Sequence, residues 1–523
     1  MTFRPVFRGV RAYERVRLFF GLTLCVFLAS CTSNFSQALE TSITSRVAAL
    51  FDDIQDDPVR LRVFLRDMPK GGDLHTHLSG TPYAEEFLKW AEDRAFCIDT
   101  EALSIEPPPC DWPEAESAEQ LRKTDPALYG QLVDAMSVRA LLSGRPTDES
   151  GHQQFFGSFD RFLSIVSVEQ DLALVSAQRA AAEDRVLYLE LMYNPSAING
   201  YAFAGVEADW NDDLARAFER LAPDLPEIVR AARADADLIE TSARQTMQCA
   251  SETPEPGCAT DVAFNCYGLR LLPAEQVFRQ LAACFALIEA DPRFLGVSLV
   301  QPEDDPNAVI NYDLHMRMVG FLADQFPSAK VSLHAGELTL GLVPGYALRD
   351  HIAKAIDIAG SDRIGHGVGI AFELNSRETL ARMAREEIAV EINLSSNRII
   401  LGVLRDNHPL NLYRASGVPI VLSTDDLGVL RTDMTEQYVR AAIEHGLNYA
   451  DLKAASRNSA HYAFLPGESL WVGEVGGPVV SACLKRGGAI CLAYLSAHPK
   501  AALEFRLEQA FEVFEADIVN WTP

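Results

Sequence analysis

Basic residues are scarce in this chain. Its 523 residues include 46 lysines and arginines against 73 aspartates and glutamates, which gives a formal net charge of -27 at pH 7. This charge argues against binding to nucleic acid, to anionic lipid surfaces or to phosphate-rich ligands, because each of these needs a positive protein surface. A small neutral or cationic substrate fits better. A second interpretation stays open, in which the acidic surface only keeps an exported protein soluble.

Long hydrophobic runs are also almost absent. The run Leu18–Ser30 is too short to span a bilayer comfortably but has the length of a signal-peptide core. Five arginines precede it, namely Arg4, Arg8, Arg11, Arg15 and Arg17. The run ends in Leu28-Ala-Ser-Cys31, which resembles a bacterial lipobox. This segment therefore predicts a lipoprotein-type signal peptide, cleaved before Cys31 and leaving a lipid on the Cys31 thiol.

The N-terminal segment also predicts where the protein works. We expect an exported protein of the bacterial cell envelope that touches a membrane only through its lipid, on the periplasmic or the surface side. An uncleaved N-terminal anchor and secretion without a lipid are the alternatives. The sequence does not indicate which membrane face is occupied, and it leaves a homodimer open.

Cysteines are few, and none has the paired CxxC spacing of a structural zinc site. Eight cysteines follow Cys31, and an even number in an oxidising compartment suggests disulfides. Three pairs lie close together in polar or Gly/Pro-rich stretches and are predicted to be local bridges: Cys97 with Cys110, Cys249 with Cys258, and Cys483 with Cys491. Cys266 and Cys284 lie in apolar segments, where buried free thiols and a bridge are both open.

The chain has no internal repeat, but its apolar runs alternate with segments of helical period. Eight runs are rich in β-branched residues: the one that carries His75, and Val186–Met192, Val262–Tyr267, Leu295–Val300, Val331–Leu333, Arg363–Gly365, Ala389–Leu394 and Ile420–Leu422. Eight strand-helix units predict an α/β fold, a parallel (β/α)8 TIM barrel with an N-terminal helical extension. In such barrels the chemistry gathers at the C-terminal ends of the strands.

The predicted domain order follows from this alternation. Residues 1–30 are the signal peptide, 31–67 a tether with N-terminal helices, 68–465 the barrel, and 466–523 a C-terminal extension. Two segments rich in Pro, Asp and Ser, at about 91–150 and 195–261, do not fit the repeat. We expect them to be insertions in the loops after the first and second barrel strands, where they would border the site.

Histidines are scarce as well, numbering 11, and several stand where predicted strands end. His75 and His77 are two apart, so a strand points both rings to one side. His334 ends another strand, and the apolar run from Val418 ends at Asp425. Three histidines and one carboxylate suit Zn²⁺ with an open position for water, whose pKa the metal would lower. The predicted metal ligands are His75, His77, His334 and Asp425, holding one Zn²⁺ per chain.

Three further residues suit acid–base chemistry beside such a metal. Glu337 stands three residues beyond His334 and is predicted to be a proton shuttle to the substrate. His366, between Gly365 and Gly367, would either orient the water or bind the metal. Asp426 should point away from Asp425 in an extended chain and bond to the substrate. Each residue alone has a structural alternative; an Asp pair after a strand, for example, is more often a helix cap.

Five ordered motifs resemble those of the adenosine deaminase family, across about residues 68–465. They are Met68-Pro-Lys with Leu74-His-Thr-His-Leu78, His334-Ala-Gly-Glu337, Gly365-His366-Gly367, Leu394-Ser-Ser-Asn397 and Ser423-Thr-Asp425-Asp426. The resemblance implies zinc-dependent hydrolytic deamination at purine C6. It implies that the four ligands above bind zinc, that Glu337 protonates N1, that His366 acts on the attacking water and that Asp426 bonds to N7.

The resemblance extends to substrate contacts, with departures. Phe155, Phe156 and Phe159 match the position of an apolar wall over the substrate, although the same stripe is equally compatible with helix core. Ser79 replaces the acidic residue that holds the ribose 5' hydroxyl in the family, and Gln301 replaces a Gly whose backbone contacts the purine. The loop insertions resemble those of the exported growth-factor-type members.

The expected function is therefore deamination of a purine nucleoside, adenosine or a close analogue, by an exported hydrolase of purine salvage. Other aminopurines are the alternative, such as a 5'-modified nucleoside, adenine or AMP, of which AMP lacks a basic cluster to bind its phosphate. From another class, a nucleoside-binding lipoprotein without catalysis could keep the same scaffold. Loss of Glu337 or Asp425 would have favoured that alternative, and both residues are present.

Overall fold

A computed structural model describes residues 43–145, 149–204, 210 and 212–521. The predicted signal peptide, the Leu28–Cys31 segment and its lipidation site lie outside the described residues. Within that part of the chain, no helix is both long and apolar enough to cross a bilayer.

Eight parallel strands form the centre of the protein. The eight barrel strands are β1 (Gly72–His77), β5 (Tyr188–Met192), β6 (Asp261–Leu269), β7 (Phe294–Val300), β8 (Lys330–Ala335), β9 (Arg363–His366), β10 (Ala389–Ile392) and β11 (Ile420–Leu422). The strands β2 (Cys97–Asp99), β3 (Ser104–Glu106) and β4 (Ala115–Ser117) form a separate small sheet. The large sheet has the order β1-β5-β6-β7-β8-β9-β10-β11. Its two ends meet where Asp425 N donates to His75 O at 2.9 Å and Asp425 O accepts from His77 N at 3.0 Å. The predicted (β/α)8 barrel is confirmed.

Helices surround the barrel and fill the insertions. Those of eight residues or more are Pro58–Asp67, Ala84–Asp93, Pro126–Ala135, Gly151–Val166, Gln170–Glu183, Ser196–Phe203, Leu214–Leu221, Leu225–Thr246, Ala274–Ala290, Pro306–Gln325, Ser376–Arg385, Leu394–Leu401, Met434–His445, Tyr449–His461, Ala489–Ala497 and Pro499–Ile518. Shorter helices are Leu121–Thr124, Arg139–Leu142, His351–Asp357, Leu410–Ala415 and Leu427–Leu430. Residues 43–54 are helical too.

The chain between β1 and β5 builds a cover at the C-terminal end of the barrel. It contains a small antiparallel sheet of order β3-β2-β4 and the helix Gly151–Val166. This helix starts at a capping box, in which the Ser150 hydroxyl accepts from Gln153 N and the Gln153 side chain accepts from Ser150 N. It packs on the segments that directly follow β1, β10 and β11. Between β5 and β6, the described residues form the α-helices Ser196–Phe203, Leu214–Leu221 and Leu225–Thr246. The boundaries of the two insertions stay predictions.

Four disulfides join the eight cysteines beyond Cys31. Three are the predicted local bridges Cys97–Cys110, Cys249–Cys258 and Cys483–Cys491. The fourth joins Cys266 in β6 to Cys284 in helix Ala274–Ala290, so the free-thiol alternative is wrong for this pair. The two residues approach because a barrel strand packs against the helix that follows it, which a sequence separation of 18 does not reveal.

The barrel interior buries charge as well as apolar surface. β5, β9, β10 and β11 are buried along their whole length. Among their side chains are Glu190, Arg363 and Glu391, which are at most 1% exposed. A strand buried on both faces normally consists of apolar residues, so these three charges call for partners inside the protein.

Candidate metal centre and active site

The four predicted metal ligands come together at the C-terminal ends of β1, β8 and β11. His334 Nε2 lies 3.0 Å from His75 Nε2 and 3.2 Å from His77 Nε2. Asp425 Oδ1 lies 3.2 Å from His77 Nε2 and 3.5 Å from His75 Nε2. The strand period of two and the barrel closure beside Asp425 produce this convergence, since both bring side chains of distant segments to one point.

The donor set fits a divalent metal. The Nε2 atoms of His75, His77 and His334 and the Oδ1 atom of Asp425 converge here, so nitrogen and oxygen donors meet at one point. Ligands held at 2.0–2.1 Å in a tetrahedron lie about 3.4 Å from one another, close to the spacing of these four atoms. Three imidazoles and one carboxylate are a ligand set that suits zinc among the common metals.

His366, at the end of β9, lies close enough to bind the metal as well, since one of its ring nitrogens is within 4.8 Å of ligand atoms of His75, His334 and Asp425. Its ring centroid is 4.8 Å from that of His75 and 5.1 Å from that of His334. Burial and the nearby charge of His75 lower the pKa of His366 to about 3, so the ring is neutral. Its Nδ1 accepts from the Asn397 amide at 2.9 Å, whereas Nε2 has no partner among the described residues.

Several residues of the site have unusual backbone conformations, which orient their side chains. His366 has φ +64° and Asp425 has φ +62°, in the left-handed region that costs a non-glycine residue roughly 1–2 kcal/mol. Gln301, at the end of β7, has φ +79°. Such conformations concentrate at functional sites, where the surrounding structure holds them. At Gln301 the side chain accepts from Leu271 N at 3.0 Å, so the residue takes a conformation typical of glycine while its amide is anchored.

Glu337 follows β8 and is held by a second glutamate. Glu303 accepts hydrogen bonds from Gly336 N at 3.0 Å, Glu337 N at 2.8 Å and His351 Nδ1 at 2.6 Å. Burial, with the negative charges of Asp425 and Glu303, raises the pKa of Glu337 well above its ordinary value. Its Oε1 has no hydrogen-bond partner among the described residues. A protonated carboxyl with a free oxygen is equipped to give a proton to a ligand.

Asp426 lies nearer to its neighbour than the sequence predicted. Its carboxylate, that of Asp425 and the His77 ring present ligand atoms within 4.8 Å of one another, so the expectation that it points away is wrong. The extended backbone assumed for that expectation ends at Asp425. Asp426 precedes the helix Leu427–Leu430 but makes no side-chain cap, which removes the helix-cap alternative. Burial and the charge of Asp425 raise the pKa of Asp426 well above its usual range.

The remaining predicted contacts lie in the turn after β1 and on the covering helix. Ser79 is half-buried in the turn Leu78–Gly80, directly after His77. A Cβ at Gly80 would lie 1.7 Å from Asp426 Oδ1, so only glycine fits there. On the covering helix, Phe155 is 3% exposed and its ring is 5.0 Å from that of Phe156. The ring of Phe159 lies 5.4 Å from that of Phe155, so the three form one aromatic stripe of helix core, and its role as a substrate wall stays a prediction.

Several residues of this site were not predicted from the sequence. Glu391 accepts from His75 Nδ1 at 2.7 Å, and Ser298 Oγ lies 3.1 Å from His334 Nδ1. Such partners of the second ring nitrogen orient a metal-binding histidine. Glu391 in turn accepts from Arg363 Nε at 2.6 Å. The available signal was a charged residue inside an otherwise apolar strand, as in Ala389-Val-Glu-Ile392.

Comparisons with known proteins find similarity to adenosine deaminases over part of the chain. The family model described as adenosine deaminase matches residues 322–470. A curated adenosine deaminase of Pseudoalteromonas translucida (strain TAC 125) is 29% identical over 181 residues, which are 33% of this chain and 53% of that protein. A curated adenosine deaminase of Escherichia coli O1:K1 / APEC is 32% identical over 140 residues, 26% of this chain and 38% of that protein. The chain thus spans about half or less of the length of these relatives.

Among solved structures, an amidohydrolase of Burkholderia ambifaria with bound zinc has a TM-score of 0.52 at 17% identity. The match covers 87% of this chain and 94% of that one. At this identity the match shows similarity of fold alone. The matched region 322–470 contains His334, Glu337, His366 and the Asp425-Asp426 pair. By the family model and the curated relatives, this part of the chain is similar to adenosine deaminases.

Proposed function

We propose that the protein is a zinc-dependent hydrolase that deaminates a 6-aminopurine nucleoside, adenosine or a close analogue, releasing ammonia. One observation carries the proposal. Glu337 Oε1, His366 Nε2 and Asp426 Oδ1 are buried and have no hydrogen-bond partner among the described residues. They adjoin the point where the predicted ligands converge, and His366 and Asp426 also lie within reach of a metal held there. Unsatisfied buried polar atoms are costly, and three at one place indicate groups that a substrate satisfies.

The residues divide the work of the reaction. A bound zinc would supply Lewis acidity, which makes water nucleophilic near neutral pH. Glu337, protonated at rest, gives its proton to purine N1 while the water oxygen bonds to C6. His366 holds a hydrogen bond to the attacking oxygen. The C6–N bond then breaks: one proton of the water leaves with the amino group as ammonia, and the other returns to Glu337.

The protonated carboxyl of Asp426 is a suitable hydrogen-bond donor to purine N7. N7 has only a lone pair, so its partner must carry a proton. The raised pKa of Asp426 keeps a proton on the carboxyl, and a carboxylic acid can donate where a carboxylate cannot. The same reasoning makes an ionised Asp426 a poor partner for the substrate.

The group that the substrate has at its 5' position is not specified by the proposal. Ser79 offers a neutral hydroxyl where the family pattern has an acid, so 5'-modified nucleosides, adenine and AMP remain alternative substrates. A binding lipoprotein without catalysis is disfavoured because Glu337 and Asp425 are both present.

Export and lipidation at Cys31 belong to the proposal as well, together with a role in purine salvage. The arginine-rich segment, the apolar run and the lipobox-like end at Cys31 support export. Four disulfides also favour an oxidising compartment. Labelling of cells with a palmitate analogue, followed by mass spectrometry of the mature N-terminus, tests it; an unlipidated mature protein refutes the anchor.

A parallel assay tests the activity. Purified protein, with zinc content measured by elemental analysis, is given adenosine, deoxyadenosine, methylthioadenosine, AMP and adenine, and kcat/KM is measured from ammonia release. We expect about one zinc per chain and the highest kcat/KM for a nucleoside. Absence of a stoichiometric divalent metal would overturn the site, and absence of ammonia from all five compounds would overturn the reaction.

A further inference from the structure

A chain of buried hydrogen bonds runs from the backbone to His366. Leu410 N lies 3.2 Å from His408 Nδ1, and His408 Nε2 lies 3.0 Å from Asn397 Oδ1. Asn397 Nδ2 lies 2.9 Å from His366 Nδ1. His408 is 4% exposed, and Asn397 and His366 are 0% exposed, so water does not compete for these bonds.

The backbone fixes the direction of the whole chain. The Leu410 amide can only donate, so His408 Nδ1 accepts. Burial lowers the pKa of His408 to about 3, and the neutral ring therefore carries its proton on Nε2. That N–H must donate to the Asn397 oxygen, which turns the Asn397 NH2 group toward His366. His366 Nδ1 is then an acceptor.

Two neighbours of His366 Nδ1 agree with this direction. The Asn393 amide nitrogen is 3.5 Å away and can also donate. Glu337 Oε1 is 3.5 Å away but makes no hydrogen bond to it, and the raised pKa of Glu337 means that no carboxylate stands there to draw a proton onto Nδ1. All three groups around Nδ1 thus favour a lone pair on this nitrogen.

We infer that Asn397 and His408 are positioning residues that hold His366 in the Nε2–H tautomer. His366 then presents a hydrogen-bond donor, and no lone pair, to the metal centre. A ring nitrogen of His366 lies within 4.8 Å of ligand atoms of His75, His334 and Asp425. Because a protonated nitrogen cannot bind a metal, this tautomer keeps Nε2 out of the ligand set. In the reaction proposed above, on which this role rests, the N–H stabilises negative charge on the attacking oxygen instead of removing its proton.

The tautomer can be measured without any activity. Protein with ring-¹⁵N histidine is studied by long-range ¹H–¹⁵N NMR, metal-free and zinc-loaded, and the signals of His366 and His408 are identified from H366Q and H408Q. We expect both rings to be neutral with the proton on Nε2. A proton on His366 Nδ1 would overturn the inference, whether or not the protein proves to be a deaminase.

Variants test the positioning role. Asn397→Asp replaces the donating amide by a carboxylate, which should draw the proton to His366 Nδ1 and lower kcat by about 10²- to 10⁴-fold with KM changed only a few-fold. His408→Phe should cause a smaller loss, because it frees the Asn397 amide to rotate. His408→Gln keeps an N–H for Asn397 and should restore most of the activity.

A neighbouring histidine provides the control. The ring of His445 lies 5.4 Å from that of His408 but takes no part in the chain, so His445→Gln should leave both kcat and the His366 tautomer unchanged. Thermal unfolding of each variant shows whether it is folded. An unchanged His366 tautomer in N397D, or equal kcat in H408F and H408Q, would overturn the positioning role. Loss of all ammonia release in the wild type would instead overturn the proposed function alone.

Discussion

Two clusters of buried ionisable groups lie in the same barrel and differ in how their polar atoms are satisfied. Around Arg363, every charged group is paired: its Nη2 donates to Glu190 at 2.6 Å, its Nε to Glu391 at 2.6 Å and its Nη1 to Tyr462 O at 2.7 Å. At the strand ends, Glu337, His366 and Asp426 each keep a polar atom without a partner among the described residues. The paired cluster holds the barrel and His75, and the unpaired cluster is free to bind a ligand.

This difference separates structural from functional charge where burial cannot. Both clusters are almost completely inaccessible, and both contain carboxylates. Fully partnered ions add specificity to a core, whereas buried polar groups without a partner destabilise it unless a ligand supplies the missing bonds. The two clusters should therefore respond oppositely to substitution.

The largest effect is expected at the unpaired cluster. Glu337→Gln removes the proton donor, and kcat for ammonia release should fall by about 10²- to 10⁴-fold while zinc stays bound. The thermal midpoint should stay equal or rise, because a carboxyl disfavoured by burial is replaced by a neutral amide. The exposed Glu378→Gln is the matched control. Turnover within about tenfold of the wild type would contradict the role of Glu337 as acid.

The paired cluster should show the reverse. Arg363→Met leaves Glu190 and Glu391 buried without their cation, and removal of one partner of a buried pair typically costs about 3–5 kcal/mol of unfolding free energy. Chemical denaturation measures this loss. Adding Glu190→Gln and Glu391→Gln to Arg363→Met should recover part of it. A loss below about 1 kcal/mol, or no recovery, would show that the cluster is not coupled in this way.

Acid should weaken the paired cluster through Glu391. Burial opposes its ionisation, yet Arg363 and the hydrogen bond from His75 lower the pKa of Glu391 to about 2, below an ordinary value of 4.5. A lowered folded-state pKa stabilises the protein above the unfolded-state pKa, and this stabilisation disappears as pH falls from 4.5 through about 2. Over this range metal-free wild type should lose about 3 kcal/mol more than Glu391→Gln. Parallel pH curves for the two proteins would contradict the shift.

The smallest effect concerns the substrate at the edge of the unpaired cluster. Ser79→Asp introduces the acid that the family pattern has for a 5' hydroxyl, and kcat/KM for adenosine should rise by about tenfold, as for one charged hydrogen bond. For 5'-deoxyadenosine, which lacks that hydroxyl, kcat/KM should not rise. An equal change for both compounds would show that Ser79 does not face the 5' position.

Much of the fold and the outline of the site were predictable. The eight strands were recognisable as short apolar runs between helical segments, and each predicted run overlaps an observed barrel strand. His75, His77, His334 and Asp425 were recognisable because strand ends in such barrels converge. The orientation of Asp426 was not, because φ +62° at Asp425 interrupts the extended chain on which the prediction relied.

The partners of these residues required the tertiary structure. Glu391 is 316 residues from His75, and Ser298 is 36 from His334, so no local pattern links either pair. The Cys266–Cys284 bridge depended on which helix face packs on β6. His408 and Asn397 act through a direction of hydrogen bonding that only their three-dimensional order defines.

By itself, the sequence determined the barrel and the identity of the groups that meet at its strand ends, because strand period and apolar alternation are local properties of the chain. Only the tertiary structure decided which buried charges are paired and which remain free. Pairing depends on contacts between segments hundreds of residues apart, as between Glu190 and Arg363, 173 residues away. The same packing that satisfies the paired cluster leaves Glu337, His366 and Asp426 with polar atoms free to bind a substrate.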